Sequence, residues 1–411
     1  MTAASELRGR MDEASEASAL SRPRASSPER SERPIRIAYC VSTLQTGGSE
    51  LNAIRCAERL RGEFEFTIIH HQGGPLSQRC EAAGMDMVRF PLRNLYGADA
   101  VRQGVAFARL LRKRRFDVVH SHDIYMNMFV APWAAITGVP FIASRRWWHD
   151  RRDRRKYWLP NVVAYRLAKR VLANSDAVAR SLFEHDRVRH DRIVVVPNFV
   201  EEGAFRRLGE PEARAIRSEW NLPAEALVVG IIARLEPVKD HATLLRAIAR
   251  LRPRWPSLRL VVVGGGSRAP ALEALATSLG IRDASLFLGE RAHEPNLHHL
   301  FDISVLCSTS EAFPNTIVEA MAAGRAVVAT NVGAIPDAVQ ADVTGLLANP
   351  GDDERLACAI ESLLLDPARR RELGANGQRR ARAVYHADTV LPRLAALYRD
   401  AMRQGPRAAR R

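Results

Sequence analysis

Short runs of apolar and β-branched residues alternate with longer amphipathic stretches along most of this chain. In the first half the runs predict strands at Ile35–Val41, Phe66–His70, Met85–Phe90, Asp117–His120, Val139–Ala143, Arg170–Ala173 and Ile193–Val196. The stretches between them have helical spacing, for example at Glu50–Arg61, Val101–Arg114 and Tyr157–Leu167. This alternation predicts βαβ units and a parallel sheet with helices on both faces.

The pattern is interrupted after Pro197-Asn198, where a polar stretch continues to Leu222. A second alternation then predicts strands at Leu227–Ala233, Leu258–Val263, Ser285–Leu288, Ile303–Cys307 and Ala326–Thr330. From Asp352 onward the spacing is helical. We therefore predict an α/β chain with two Rossmann-like, doubly wound parallel-sheet domains that face each other across a cleft.

These patterns divide the 411 residues into four segments. Residues 1–34 are rich in Ser, Ala, Arg and Glu and have no apolar core, which predicts a disordered tail rather than a signal peptide. Residues 35–200 and 201–388 are the two predicted Rossmann-like domains. Residues 389–411 predict a helix that returns to the first domain, followed by a basic tail.

Membrane-spanning length is not reached by any apolar run. The longest, Met128–Ala143, is interrupted by Pro132, Gly138 and Pro140, which predicts a buried helix followed by a strand. The five cysteines form no CxxC pair, which favours reduced thiols and a cytoplasmic location.

Positive charge is concentrated in the first half of the chain. The formal net charge is +15, and residues 35–200 carry 27 Lys and Arg against 15 Asp and Glu, which gives +12. A basic half is compatible with nucleic acid, an anionic membrane face or an anionic substrate. Arginines scattered over a solvated surface explain the same count.

Two clusters follow the first strand of each predicted domain. Gly47-Gly48-Ser49-Glu50 opens a helix, where glycines and free N–H groups suit an anion, although such a turn is also a common helix start. Arg234 and Lys239 follow the first strand of the second domain. Two cations at a strand-to-helix turn can neutralise a diphosphate without a metal ion, or they are solvated surface cations.

Two further clusters lie at predicted strand ends. Glu311 precedes a predicted helix and Glu319 lies about one turn inside it, so both carboxylates can face the cleft and accept bonds from sugar or ribose hydroxyls. His120 and His122 follow an apolar strand, and without a suitably spaced carboxylate or Cys they favour hydrogen bonding over metal ligation. The turn at Gly264 matches a dinucleotide fingerprint but follows a second strand, so we interpret it as a Gly-rich turn near a nucleotide.

Together these residues resemble the retaining glycosyltransferases of the GT-B fold usually called family 4. The resemblance covers about Ile35 to Tyr398. It is most specific at Glu311 and Glu319, separated by seven residues that include Pro314-Asn315, and at Arg234-Leu235 followed by Lys239. Supporting matches are Gly47-Gly48-x-Glu50, His120-x-His122 and Pro197-Asn198.

The resemblance implies a metal-independent enzyme without a cofactor, with an acceptor domain at 35–200 and a nucleotide-sugar domain at 201–388. It implies that Arg234 and Lys239 bind the donor diphosphate, Glu319 the ribose and Glu311 the transferred sugar. His122, or else His120, would contact that sugar near the reacting carbon. The other donor-binding residues would be Gly47, Gly48, Phe313, Pro314, Asn315, Thr316 and Gly264.

The chain departs from the family pattern at three positions. Ala334 stands where the family has a glycine, and Asp337 where it has a longer acid, which puts close backbone approach at this loop in question. Phe199 follows Asn198 where the family often has glycine, so the connection between the domains is expected to be less flexible.

Cations and aromatic residues are dense in the segment Ser144–Trp158. We predict acceptor contacts from His120, Arg145 and Arg146, and peripheral attachment to the cytoplasmic membrane face near a glycan or lipid-linked acceptor. A charged helix with its Trp residues in the core explains the same pattern. Two other functions stay open: a sugar-nucleotide epimerase of the same fold, and a nucleic-acid-binding protein, which lacks any recognised motif here.

Overall fold

The computed structural model describes residues 33–403, apart from 93, 148–150 and 292–294, and describes only the backbone of 151–156 and 295–296. Residues 1–32, which make up most of the predicted tail, and the basic end at 404–411 lie outside the described residues. Strands and helices are numbered below in chain order.

The first domain is built on a seven-stranded parallel sheet with the order β3-β2-β1-β4-β5-β6-β7. Its strands are β1 (Ile35–Thr43), β2 (Phe64–Gln72), β3 (Asp86–Arg89), β4 (Val118–Ser121), β5 (Phe141–Arg145), β6 (Arg170–Ala173) and β7 (Ile193–Val195). All of them were predicted within a few residues. The strand order reverses beside β1, which is where ligands of such sheets bind.

Helices cover both faces of this sheet, as the pattern predicts. They are α1 (Gly48–Leu60), α2 (Pro75–Ala82), α3 (Ala98–Arg114), α4 (Ile124–Thr137), α5 (Arg151–Leu167) and α6 (Asp176–Glu184). Ile37, Tyr39 and Val41 pack against α1 and α2, whereas Ala38 and Cys40, which alternate with them, pack against α3 to α6.

The helix predicted to be buried, α4, is buried on one side only. Asp123 caps its start by accepting hydrogen bonds from the N–H groups of Tyr125 and Met126, and Gly138 ends it with φ 70°. Met126, Phe129 and Val130 face the core, but Ile136 on the opposite side is 62% exposed. The predicted helix followed by a strand is confirmed, and the helix is buried on one face only.

The second domain has a six-stranded parallel sheet with the order β10-β9-β8-β11-β12-β13. Its strands are β8 (Leu227–Ile232), β9 (Leu258–Val263), β10 (Ser285–Phe287), β11 (Ile303–Leu306), β12 (Ala326–Thr330) and β13 (Leu346–Ala348). Its helices are α7 (Glu210–Glu219), α8 (His241–Leu251), α9 (Ala269–Ser278), α10 (Asn315–Ala322), α11 (Ile335–Ala338), α12 (Asp353–Leu365) and α13 (Pro367–Arg380). The edge strand β13, three residues long, was not predicted.

The chain passes between the domains twice, and the two crossings touch. Val200 pairs with His386 in an isolated bridge, and the Ala387 N–H donates to the Val200 carbonyl at 3.0 Å. The last helix, α14 (Ala387–Arg403), packs Val390, Leu394 and other apolar side chains into the core formed by β1, α1 and α2. Among the described helices, none is long and apolar enough to span a bilayer.

Candidate active site

A cleft between the domains is lined by residues that follow strands of both sheets. It encloses about 620 Å³, which lies within the roughly 300–1,000 Å³ typical of small-molecule sites. Five cations and three carboxylates line it: Arg55, Arg146, Arg234, Lys239, Arg291, Glu50, Glu311 and Glu319. The formal excess of two positive charges suits an anionic ligand.

The second-domain wall of the cleft begins directly after β8 with Arg234. Its guanidinium is exposed to the cleft and makes no hydrogen bond or ion pair within the described part of the chain. Lys239 ends a short 3₁₀ turn, which places its ammonium 2.5 Å from Glu311 Oε2. Because an ammonium group has three N–H donors, two remain for a ligand. The two cations can therefore hold one anion.

The loop after β9 supports the Arg234 segment from behind. Gly264 has φ 146°, and a Cβ at this position would overlap the Ala233 carbonyl oxygen. Glu236 accepts hydrogen bonds from the backbone N–H and the hydroxyl of Ser267, at 3.3 and 3.0 Å. Gly264 therefore does not line the cleft itself. It packs behind Ala233, on the loop that carries Arg234.

Glu311 lies on the loop between β11 and α10, and Gly333 packs directly against it. Gly333 has φ 53°, and a Cβ there would overlap the Glu311 carbonyl oxygen. The Ala334 N–H donates to the same oxygen at 2.9 Å. Ala334 itself has φ −92°, which suits any residue. The alanine that departs from the family pattern therefore does not obstruct the close approach, which occurs at Gly333.

Helix α10 starts in the cleft without a side-chain cap at Pro314. Phe313, Asn315 and Thr316 line the cleft together with Pro314. The N–H groups of Asn315 and Ile317 already donate to the Phe313 and Pro314 carbonyls, so the positive end of the helix dipole is what can attract an anion. Glu319 lies about one turn further, is 6% exposed and lines the same cleft.

Arg55 faces Glu319 from α1 in the other domain. Burial lowers the pKa of the Arg55 guanidinium, and the negative charge of Glu319 partly opposes this shift. Sequence reasoning missed Arg55. Its position two helical turns after Gly48 places both residues on one face of α1, and this spacing could have identified it.

Gly47 and Gly48 begin α1 on the first-domain wall, as predicted. A Cβ at Gly48 would lie 2.5 Å from Nδ2 of the Asn315 side chain, so the starts of α1 and α10 face each other closely. The Glu50 side chain folds back onto Gly47, and burial raises the pKa of its carboxyl group. Two uncapped helix starts from different domains therefore point into one cleft.

His120 and His122 lie at the end of β4 in different surroundings. The His120 ring bonds to the hydroxyls of Tyr398 and Ser144, at 2.8 and 2.7 Å, and so joins α14 to the first-domain core. His122 is 3% exposed and packs against Tyr39 with the ring planes tilted by 58°, and neither ring nitrogen has a partner among the described residues. Neither histidine is among the residues that line the cleft.

Burial lowers the pKa of both histidines well below the ordinary value, and the nearby positive charge of Arg146 adds to this effect. Both rings are therefore neutral near pH 7. Within the described residues, no three His, Cys, Asp or Glu side chains come together as a possible metal site.

The neighbours Arg145 and Arg146 lie in separate parts of the first domain. Arg145 is 1% exposed and forms an ion pair with Asp186, so the structure does not bring it to the predicted acceptor side. Arg146 lines the cleft and donates to the Asn198 side-chain oxygen at 3.0 Å. Asn198 in turn donates to the Asn315 side-chain oxygen at 2.8 Å. This relay connects β5, the interdomain crossing and α10.

Asp337 makes a second link between the domains. Its carboxylate accepts a hydrogen bond from the Ala177 N–H at 2.7 Å and another from Arg180 at 3.2 Å. A carboxylate at the start of a helix, here α6, is favourably placed. Sequence reasoning identified Asp337 only as a shorter acid and missed this contact, which depends on how the domains pack.

Two parallel-sheet domains that face one cationic cleft define the class of protein: this is the architecture of GT-B glycosyltransferases. The fold is similar to that of the Anabaena protein Alr3699/HepE, whose crystal structure contains UDP. The TM-score is 0.81 at 23% sequence identity, over 89% of this chain and 100% of that one.

Sequence comparison identifies the family. The profile described as Glycosyltransferase Family 4 matches residues 46–203, and the profile described as Glycosyl transferases group 1 matches 212–380. The D-inositol 3-phosphate glycosyltransferase of Stackebrandtia nassauensis is 34% identical over 330 residues, which cover 72% of this chain and 71% of that relative. The same-named enzyme of Acidothermus cellulolyticus is 35% identical over 253 residues, 59% of this chain and 55% of the relative. The chain belongs to the group 1 glycosyltransferases and is a sugar-transferring enzyme.

Proposed function

We propose that this enzyme transfers a sugar, with retention of anomeric configuration, from a nucleoside diphosphate sugar to a glycan or lipid-linked acceptor. The proposed setting is the synthesis of a cell-envelope polysaccharide or glycolipid. One observation carries the proposal: Arg234, Lys239, Glu311 and Glu319 line the same cleft of about 620 Å³.

The second domain, residues 201–388, binds the donor in this proposal. Arg234 and Lys239 bind the diphosphate, and the positive ends of α1 and α10 attract the same charge. Glu319 accepts hydrogen bonds from the ribose, and Glu311 from the transferred sugar. The Lys239–Glu311 ion pair, at 2.5 Å, holds the two side chains where diphosphate and sugar would meet.

The acceptor oxygen attacks the anomeric carbon on the face from which the diphosphate departs. The bond from that carbon to the diphosphate oxygen breaks, the bond to the acceptor oxygen forms, and the acceptor proton moves to the departing oxygen. Arg234 and Lys239 stabilise the growing negative charge, and this electrostatic effect is the main contribution to rate. His122 does not line the cleft, so no contact with the donor sugar is assigned to it.

The first domain, residues 35–200, binds the acceptor. Arg146 is the predicted acceptor-side cation that lines the cleft. A phosphate-bearing acceptor is supported by the names of the two relatives, both D-inositol 3-phosphate glycosyltransferases. We place the enzyme in the cytoplasm, at the membrane face where lipid-linked acceptors are found. Its cysteines among the described residues are free thiols.

A panel of nucleoside diphosphate sugars, read out by release of the nucleoside diphosphate, tests the proposal. UDP-sugars come first, because the Anabaena neighbour binds UDP. We expect turnover of one donor. NMR of the product should show that the transferred sugar keeps the anomeric configuration that it has in the donor. A new sugar nucleotide formed without acceptor would instead identify an epimerase.

Metal independence is a separate part of the proposal. Arg234 and Lys239 supply the positive charge that a divalent ion supplies at other diphosphate sites. Activity is therefore expected to be unchanged in excess chelator. Loss of activity in chelator, with recovery on adding Mg²⁺, would contradict this assignment.

A further inference from the structure

Helix α4 is apolar all round, yet it lies on the surface of the first domain. Its 14 residues, IYMNMFVAPWAAIT, include no charged side chain. Helices of this composition are usually enclosed by protein or lipid. Here the outer face exposes Tyr125 at 44% and Ile136 at 62%, with Pro132 and Ala135 exposed between them.

Helix α5 extends this apolar surface. It packs beside α4 and exposes Leu159 at 62%, Val163 at 47% and Leu167 at 43%. These three residues are spaced by four, so they form one stripe along the helix. We call the exposed face of α4 and α5 the apolar face; no acidic residue occurs in α4 or between Lys156 and Arg170.

The chain segment that contains the apolar face is rich in cations. Residues 124–170 contain ten Lys and Arg against two Asp, a formal charge of +8, although Arg145 and Arg146 are buried. Five of the ten lie in sequence at 151–156, where α5 begins. On the other side of α4, helix α3 and the residue after it expose Arg109, Arg112, Lys113 and Arg115.

We propose that the apolar face, with the cations near it in the chain, is a docking surface for an anionic lipid bilayer. Apolar side chains insert at the level of the headgroups while Lys and Arg bind the acidic lipids, the arrangement typical of interfacial helices. A nucleic acid would match the cations but not the apolar centre, and a second copy of this chain would bring the same positive charges together.

The position of the face connects it to the proposed function, on which this second step rests. Helices α4 and α5 begin at the carboxyl ends of β4 and β5, the edge that also carries the cleft-lining Arg146. At that edge the rings of Tyr125 and Tyr157 meet at 5.8 Å. Docking through α4 and α5 therefore brings the acceptor side of the cleft close to the headgroups, where a lipid-linked sugar would be presented.

Co-sedimentation of the full-length protein with vesicles tests the surface without any sugar nucleotide. The vesicles contain phosphatidylglycerol and phosphatidylcholine at about one to two, or phosphatidylcholine alone, at roughly 0.1 M salt. We expect binding to the anionic vesicles only. The double variant Leu159→Glu/Val163→Glu should lower partitioning at least about tenfold. The control Leu365→Glu, at a 70% exposed apolar position in the second domain, should bind like the wild type.

Three results would overturn the proposal: no binding of the wild type to anionic vesicles, equal binding by the double variant, or a wild-type dimer that the double variant dissociates in sedimentation velocity. Circular dichroism shows whether the double variant is folded. Nucleoside diphosphate release in vesicle-free buffer reports the proposed function separately, and the double variant should retain it.

Discussion

The two walls of the cleft hold their charged side chains in different ways. On the second-domain wall, short loops fix the charges: Lys239 pairs with Glu311 at 2.5 Å, and Gly264 and Gly333 allow close backbone contacts behind them. On the first-domain wall Arg55 is half-buried, and Arg146 is connected to the other domain through Asn198. One wall is assembled within its own domain, and the other depends on how the domains meet.

This difference separates two tasks. On the second-domain wall, Lys239 is held in place before a ligand arrives, which lowers the cost of binding a diphosphate. The position of the first-domain wall depends on how the two domains close on each other. The hydrogen bonds from Arg146 through Asn198 to Asn315, and the contact of Asp337 with α6, connect the domains. Changes on the second wall should therefore affect charge stabilisation, and changes on the first should affect alignment.

The largest effect is expected from Lys239→Ala. Removal of one preorganised cation should lower kcat/KM about 10²- to 10³-fold, because the departing diphosphate loses a partner. Nucleoside diphosphate release measures this. Arg250→Ala is the matched control, since Arg250 is a surface cation of the same domain that pairs with Asp353 at 2.5 Å, and it should stay within about twofold of wild type. If Lys239→Ala were about as active as the control, Lys239 would not stabilise the departing diphosphate.

A smaller effect is expected at the relay between the walls. Asn198→Ala should lower kcat about tenfold with little change in donor KM, because it disturbs closure rather than donor contacts. Asn315→Ala removes the neighbouring link, so the double variant should be little worse than either single variant. Steady-state kinetics of the three variants tests this, and fully additive losses would show that the two residues act independently.

The smallest effect concerns the stability of the first domain. The unfolded chain protonates His122 below about pH 6.5, but the folded chain does not, because burial lowers its pKa. The contribution of His122 is therefore present above that pH and is lost as the pH falls, by at most about 1.4 kcal/mol per pH unit.

Urea unfolding of wild type and His122→Phe at pH 7.5 and 5.5 measures this contribution. The variant should lose about 1 kcal/mol less on acidification than the wild type. His190→Asn, at an exposed position, should behave like the wild type. An identical pH dependence in His122→Phe would mean that the ring is protonated in the folded chain.

The fold and the second-domain wall could be read from the sequence because both depend on local patterns. Strand runs such as Leu258–Val263 match the observed strand, and Arg234, Lys239 and Glu311 lie within a few residues of strand ends. In a parallel sheet this position alone directs a residue to the ligand-binding edge. The roles of these residues stay predictions until they are tested.

The first-domain wall depends on directions that spacing does not give. Arg145 and Arg146 are adjacent, yet one side chain points into the domain and the other into the cleft, as alternation along a strand requires. The sequence predicts an acceptor contact for His120. In the structure its ring instead bonds to the hydroxyl of Tyr398, which is 278 residues away along the chain. The sequence of α4 does not show which side of the helix is exposed, because its composition is apolar throughout and predicts burial.

The most direct test of the central claim is calorimetric titration of the nucleoside diphosphate that the donor panel identifies, in buffer with excess chelator. The account predicts one site per chain, with affinity at least about tenfold weaker in Arg234→Ala. Undiminished affinity in that variant, or binding that appears only with a divalent ion, would contradict it.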